Sequence, residues 1–111
     1  MARAKTTFRL RVLGKTIRTY LVPPTHPGLC DGPEDADPGH GRYEENSLKV
    51  YVAQGQPLEQ EQDTHLHELF HVIDDLLDIG ISEEQVVKLT TALLAMLKEN
   101  PNLFDYLKRR K

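Results

Sequence analysis

Several features that define other protein classes are scarce in this 111-residue sequence. It has a single cysteine, Cys30, which excludes an internal disulfide bond and favours a reducing compartment. No apolar run approaches the ~20 residues that a membrane-spanning helix needs, and the first residues, MARAKTTFRL, lack the apolar core of a signal peptide. We therefore expect a cytoplasmic protein with no membrane partner.

Charge is unevenly distributed, although the formal net charge is only −3. Residues 1–18 carry six basic side chains and no acidic one, residues 31–84 carry fifteen acidic and two basic, and residues 85–111 carry six basic and two acidic. The low net charge and the lack of aromatic residues interleaved with the N-terminal basic ones predict no nucleic-acid partner. The length and the 39% hydrophobic content are typical of one folded domain, residues 1–111.

The first half of the chain, residues 1–53, predicts a small antiparallel sheet and one long loop. Four segments show strand-like patterning and form two predicted hairpins: residues 6–13 with 16–22, and residues 42–45 with 48–53. The first hairpin would turn at Gly14-Lys15. Residues 23–41 hold five of the seven prolines and predict an irregular loop between the hairpins.

The second half, residues 58–111, is predicted to be helical. Apolar residues recur there every three or four positions in three segments: 58–77, 82–99 and 102–110. Gly80 is expected to end the first helix, and Ser82 with Gln85 forms a capping box that begins the second. The fold class is therefore α+β, with a small antiparallel sheet packed against two successive helices.

The first predicted helix carries an H-E-x-x-H motif made by His67, Glu68 and His71. Positions i and i+4 share one helix face, so both imidazoles can reach one metal ion. Glu68 lies roughly 100° further around the helix, where it can act as a general base instead of a ligand. His65 projects away from this face and is expected to be solvated.

A catalytic zinc site needs a third protein ligand and an open position for water. No histidine follows His71, so the remaining candidates for the third ligand are carboxylates: Asp74, Asp75, Asp78, Glu83, Glu84 and Glu99. Helical facing favours Glu83, which aligns with the apolar face of the second helix, and leaves Glu84 as the alternative. Asp74 or Asp75 is expected to orient a histidine through its second ring nitrogen.

The stretch THLHELFHVIDDLLDIGISEEQVVKLTTALLAMLKENPNL, residues 64–103, resembles small H-E-x-x-H metalloproteins of bacteria and phages. These are minimal gluzincin-like zincins, distantly similar to the ImmA/IrrE and thermolysin-type peptidases. The resemblance implies a zinc peptidase with His67, His71 and Glu83 as ligands and Glu68 as the general base. The resemblance does not identify the residue that stabilises the oxyanion, for which the candidates are three tyrosines: Tyr43, Tyr51 and Tyr106.

The motif and the resemblance together predict a metallopeptidase that holds one zinc ion per chain and cleaves a peptide or protein substrate. The strand at 48–52 is expected to bind an extended peptide by edge pairing. The alternative is a catalytically inactive zincin-like module whose metal is structural and which acts by binding a protein partner. The two classes differ in one respect: a peptidase needs an open position on the metal and an unblocked cleft beside it.

Overall fold

A computed structural model describes residues 5–29 and 40–110, and its architecture is α+β, as predicted. In chain order the elements are β1 (Lys5–Val12), β2 (Lys15–Val22), a short 3-10 helix (Pro27–Leu29), β3 (Gly41–Glu44), β4 (Lys49–Ala53), α1 (Leu58–Leu77), α2 (Glu83–Glu99) and α3 (Pro101–Lys108). The lone cysteine, Cys30, and most of the predicted long loop lie outside the described residues.

The four strands form one sheet in the order β1-β2-β4-β3. Both predicted hairpins are present and antiparallel. The expectation of an entirely antiparallel sheet is wrong, however, because β4 inserts between β2 and β3 and runs parallel to β2. Parallel pairing needs a long connection, which residues 23–48 supply. The sheet is therefore mixed, and β4 has neighbours on both sides.

The turn between β1 and β2 lies one residue earlier than expected. Its central residues are Leu13 and Gly14, with φ angles of 51° and 82°. Two successive positive φ angles match the twist of the flanking strands in a two-residue hairpin turn. The glycine accepts this backbone without strain, while Leu13 takes it at some cost.

The sheet is covered on both faces by small apolar clusters. On the α1 side, Val72 packs against Ile17, Val50 and Val52, and all four are fully buried. On the opposite side, a second cluster consists of Val22, Leu29 and Ala53. The first cluster fixes α1 across the sheet next to β3 and β4, and thereby sets the position of the H-E-x-x-H motif.

The three predicted helices are confirmed, with small differences at their ends. Helix α1 spans the predicted residues 58–77, α2 begins one residue after Ser82, and α3 spans Pro101–Lys108 where 102–110 was predicted. The capping box is also confirmed, since the Ser82 hydroxyl accepts the Gln85 N–H at 3.1 Å and the Gln85 side chain accepts the Ser82 N–H at 2.9 Å. Helix α1 ends at the predicted residue 77, but the left-handed residue that stops it is Asp78 instead of the expected Gly80. Among the described residues, no helix combines the length and the apolar content that a membrane crossing requires.

Candidate metal centre

The two histidines of the motif lie on the same face of α1, one turn apart. Their Nε2 atoms are 3.2 Å apart, and their rings meet edge to face at 4.9 Å between centroids. Both side chains are partly buried, with 17% exposure for His67 and 29% for His71. Fully buried Val72, adjacent to His71 in the chain, anchors this turn of the helix on the sheet.

Glu83, the first residue of α2, reaches both imidazoles with its carboxylate. Its Oε1 lies 2.6 Å from His67 Nε2, and its Oε2 lies 3.0 Å from His71 Nε2. One ligand atom from each of the three side chains lies within 4.8 Å of the others, close enough to share one cation. The structure therefore brings together the three residues that the sequence singled out as ligands.

Glu84, the alternative third ligand, does not join this group. Its carboxylate pairs with the Lys88 ammonium one turn along α2, at 3.1 Å, and both side chains are largely exposed. Such a surface pair contributes little to stability. The difference from Glu83 follows from helix geometry, since consecutive residues point about 100° apart and only the first carboxylate of α2 faces α1.

The loop that joins the two helices is short and tightly held, and it explains how Glu83 arrives opposite the histidines. The carboxylate of Asp74 accepts the backbone N–H groups of Gly80 at 2.7 Å and Ile81 at 3.0 Å. These two hydrogen bonds lower the pKa of Asp74 below its ordinary value, and the nearby His71 lowers it further. Together with the left-handed backbone of Asp78, they reverse the chain within a few residues.

The expectation that Asp74 or Asp75 orients a histidine is therefore wrong for the described residues. Asp74 caps the loop, as above. Asp75 instead accepts the Tyr43 hydroxyl at 2.8 Å, which ties α1 to β3. Both residues lie one helical turn beyond His71, where the loop and the edge strand offer them closer donors than the imidazole.

Glu68, the candidate general base, is buried at 8% exposure under β3. The strand can approach so closely because residue 41 is glycine. A Cβ there would lie 2.5 Å from Thr64 Cγ2 and 3.2 Å from Glu68 Cγ. Gly41 was missed because the sequence placed it at the end of the predicted loop, whereas it is the first residue of β3; a glycine inside a strand is a recognised sign of close backbone approach.

Of the three tyrosines left open above, only Tyr43 lines the groove beside the three donors. Burial, followed by the hydrogen bond to Asp75, raises its pKa well above the ordinary value, so its hydroxyl stays protonated. Tyr51 lies on the opposite face of the sheet, packed against the second apolar cluster. Tyr106 lies on α3 and is largely exposed.

The groove itself has a volume of about 640 Å³ and opens to solvent. One wall is β3 and the other is the end of α1 with the loop that follows it. His67, Glu68, His71 and Glu83 all contribute to its lining, together with Asp74, Asp75 and Asp78. The donors and the buried carboxylate of Glu68 therefore face one accessible space.

His65 was expected to be solvated, and this is wrong. Its ring packs against Phe8 of β1, with 5.1 Å between the ring centroids, and its Nε2 is buried without a hydrogen-bond partner among the described residues. Burial lowers its pKa. The first hairpin covers this side of α1, which the helical projection could not reveal, so His65 is a packing residue and no part of the site.

Comparison of the chain with models of protein families, with curated proteins and with solved structures finds no match.

Proposed function

We propose that this protein is a zinc-dependent metallopeptidase. The observation that carries the proposal is the convergence of His67, His71 and Glu83 on one point at the floor of an open groove, with Glu68 beside them. The carboxylate oxygens lie 2.6 and 3.0 Å from the imidazole nitrogens, which are 3.2 Å from each other, and lone pairs at such distances repel unless a proton or a cation lies between them. The arrangement is one that a divalent cation relieves.

The donor set fits zinc. Two imidazoles and one carboxylate on an open groove are typical of catalytic zinc sites, which keep a fourth position for water, whereas structural sites are closed by four protein ligands. His67, His71 and Glu83 would hold the ion. When bound, zinc supplies a Lewis acid that polarises a carbonyl and lowers the pKa of a water molecule.

Glu68 is the residue that moves protons in this proposal. Its place in the same groove lets it take a proton from the attacking water and deliver it to the departing amine. Tyr43, whose hydroxyl stays protonated, offers a hydrogen-bond donor on the facing wall once it leaves Asp75. Glu68 would thus supply the acid–base chemistry that peptide hydrolysis requires, and Tyr43 a hydrogen bond to the oxyanion that develops on the carbonyl.

A peptide substrate would lie along β3. The earlier expectation named the strand at 48–52, but β4 is flanked by β2 and β3 and offers no free edge. Just before β3, the His40 carbonyl accepts the Ala53 N–H at 2.7 Å. The alternation of antiparallel pairing therefore turns the backbone groups of Gly41 and Tyr43 away from β4. Those groups can pair with an extended chain beside the groove.

The test compares Glu68→Gln with Glu84→Gln, two identical chemical changes inside and outside the groove. Wild-type protein and Glu84→Gln are expected to cleave members of a random peptide library when loaded with zinc. Glu68→Gln is expected to retain one zinc per chain, measured by elemental mass spectrometry, and to lose cleavage by a factor of at least ~100. His40→Ala serves as a matched control for His67→Ala and His71→Ala, which are expected to lose the metal.

Two outcomes would overturn the proposal. Full zinc retention in both His67→Ala and His71→Ala would remove the metal site. Zinc bound with no cleavage by wild-type protein across the library would instead support the alternative of a structural zinc in a partner-binding module. Equal cleavage by Glu68→Gln and the wild type would overturn the role of Glu68 as general base.

A further inference from the structure

The face of the sheet opposite α1 carries a row of basic side chains. Residues alternate between faces along a strand, so Ile17 and Val50 point toward α1 while Arg18 and Lys49 point away. The register places Arg9 of β1 opposite Arg18 of β2, and Arg18 beside Lys49 of β4. Three cations therefore lie side by side across three neighbouring strands, about 5 Å apart at the backbone.

These cations are not neutralised by the rest of the described structure. Arg9 and Arg18 are exposed, and within residues 5–29 and 40–110 no carboxylate forms an ion pair with Arg9, Arg18 or Lys49. Arg11, two residues further along β1 on the same face, donates to the Gly14 carbonyl instead of an acid. Glu44, opposite Lys49 on β3, is the acidic side chain at the end of the row.

Like charges placed directly opposite each other weaken a strand pair. The Arg9–Arg18 pair is such an arrangement, and it occupies a position where threonine or a glutamate–lysine pair would favour folding more. A loss of stability at one residue pair, in a sheet whose other residues favour the fold, is typical of residues that serve binding.

Aromatic rings lie next to the basic row on the same face. Tyr20 lies two residues beyond Arg18 in β2, and Tyr51 lies two residues beyond Lys49 in β4. The two tyrosines are paired in the register, and their rings stack with centroids 5.5 Å apart. His26 stacks on Tyr51 from the preceding connection, at 5.3 Å. Both tyrosines are half-buried, so part of each ring remains accessible. Cations beside aromatic rings on a sheet are what single-stranded nucleic acids recognise, through phosphate contacts and base stacking.

We propose that this face binds a single-stranded nucleic acid, with phosphates on Arg9, Arg18 and Lys49 and a base against Tyr20. The expectation of no nucleic-acid partner rested on the low net charge and on the lack of aromatic residues among the N-terminal basic ones. The sheet gathers basic side chains on one face and places aromatic residues of neighbouring strands beside them. An acidic protein segment would use the cations but not the adjoining rings. The surface lies across the sheet from His67 and is independent of the proposed peptidase activity.

Fluorescence anisotropy with labelled oligo-dT and oligo-U dodecamers tests this proposal. Binding is expected at about 50 mM salt, and the slope of log K against log salt should be about −2 for three phosphate contacts on a single strand. Arg18→Ala is expected to weaken binding about 10-fold and to reduce the slope by about 0.7. Lys98→Ala, which removes the same charge from the exposed surface of α2, is the matched control and should bind as the wild type does.

Tyr20→Phe and Tyr20→Leu separate stacking from charge, since both keep apolar volume but only phenylalanine keeps a ring. The first should bind like the wild type, and the second about 10-fold more weakly, as the loss of one stacked base predicts. Circular dichroism checks that each variant is folded. Absence of binding at low salt, or equal losses in Arg18→Ala and Lys98→Ala, would overturn the proposal. Binding of polyglutamate or anionic vesicles, with Arg18 dependence but without oligonucleotide binding, would assign the face to another class of partner.

Discussion

The Asp74 carboxylate accepts the backbone N–H of Gly80 at 2.7 Å, in the loop that joins the two helices of the candidate metal centre. Asp74 belongs to the helix that carries both histidines, and the N–H groups it binds lie just before the helix that begins with Glu83. A single side chain thus sets the direction in which the second helix starts. The position of the Glu83 carboxylate depends on a residue that contacts neither histidine by a hydrogen bond.

The first prediction concerns this loop. Asp74→Ala removes the acceptor for two backbone N–H groups, so Glu83 should be held less firmly and zinc affinity should fall about 10-fold, as is common when groups that support ligands are lost. A competition titration with a chromophoric chelator measures the affinity. Asp75→Ala is the control, because that carboxylate binds the Tyr43 hydroxyl instead of the loop. Equal affinities for Asp74→Ala and the wild type would contradict this role.

The second prediction concerns the contact between β3 and α1. Gly41→Ala places a methyl group 2.5 Å from Thr64 Cγ2 and should destabilise the protein by about 1–3 kcal/mol, the usual cost of overpacking. Thr64→Ser removes that methyl group and keeps the hydroxyl that donates to Gln56 Oε1 at 2.9 Å. The double variant should therefore recover part of the loss. Urea unfolding of the four proteins in the cycle measures the coupling, and strict additivity would show that the clash is relieved in another way.

The third prediction is a pH dependence that arises from His65. Burial lowers its pKa, so the unfolded chain binds a proton at this position more readily than the folded chain does. The stability that the neutral ring provides is complete above pH 6.5, the ordinary value, and is lost as the pH falls toward the lowered pKa. His65→Phe keeps a ring against Phe8 and cannot titrate. Its free energy of unfolding should decline less between pH 7 and pH 5 than that of the wild type, and His40→Phe should follow the wild type.

The fourth prediction uses two valines. Val72 is fully buried on the sheet, whereas Val87 on α2 is 50% exposed. Val72→Ala should lower the free energy of unfolding by about 2–3 kcal/mol, because it removes buried methyl groups and leaves a cavity. Val87→Ala should change it by less than ~0.5 kcal/mol. Thermal and urea denaturation measure the free energy of unfolding of both variants. Similar losses in the two would contradict the exposed position of Val87.

Local patterns predicted much of this structure. The helix periodicity, the capping box at Ser82 and the i, i+4 spacing of His67 and His71 depend on residues close in sequence, and each is present as expected. The alignment of Glu83 with the inward face of α2 also follows from one helix considered alone. Hairpin formation was equally local, so both hairpins were predictable.

The features that were mispredicted depend on which elements meet. The parallel pairing of β2 with β4 arises because the second hairpin enters the sheet with β4 inward, and no residue pattern within the strands encodes that choice. The burial of His65 results from β1 lying over α1. Asp74 was expected to orient an imidazole because it follows His71 by three residues. The loop instead places the N–H groups of Gly80 and Ile81 within hydrogen-bond distance of its carboxylate.

The proposed ligands lie close together along the chain, and this affects how the candidate metal centre forms. His67 and Glu83 are sixteen positions apart, so closing the loop between them costs little chain entropy. The contact of Gly41 with Thr64 and Glu68 spans more than twenty positions and requires the sheet to be assembled. All three proposed ligands belong to α1 and α2, so a bound cation would link the two helices without any contribution from β3. The β3 strand would supply only a wall of the groove.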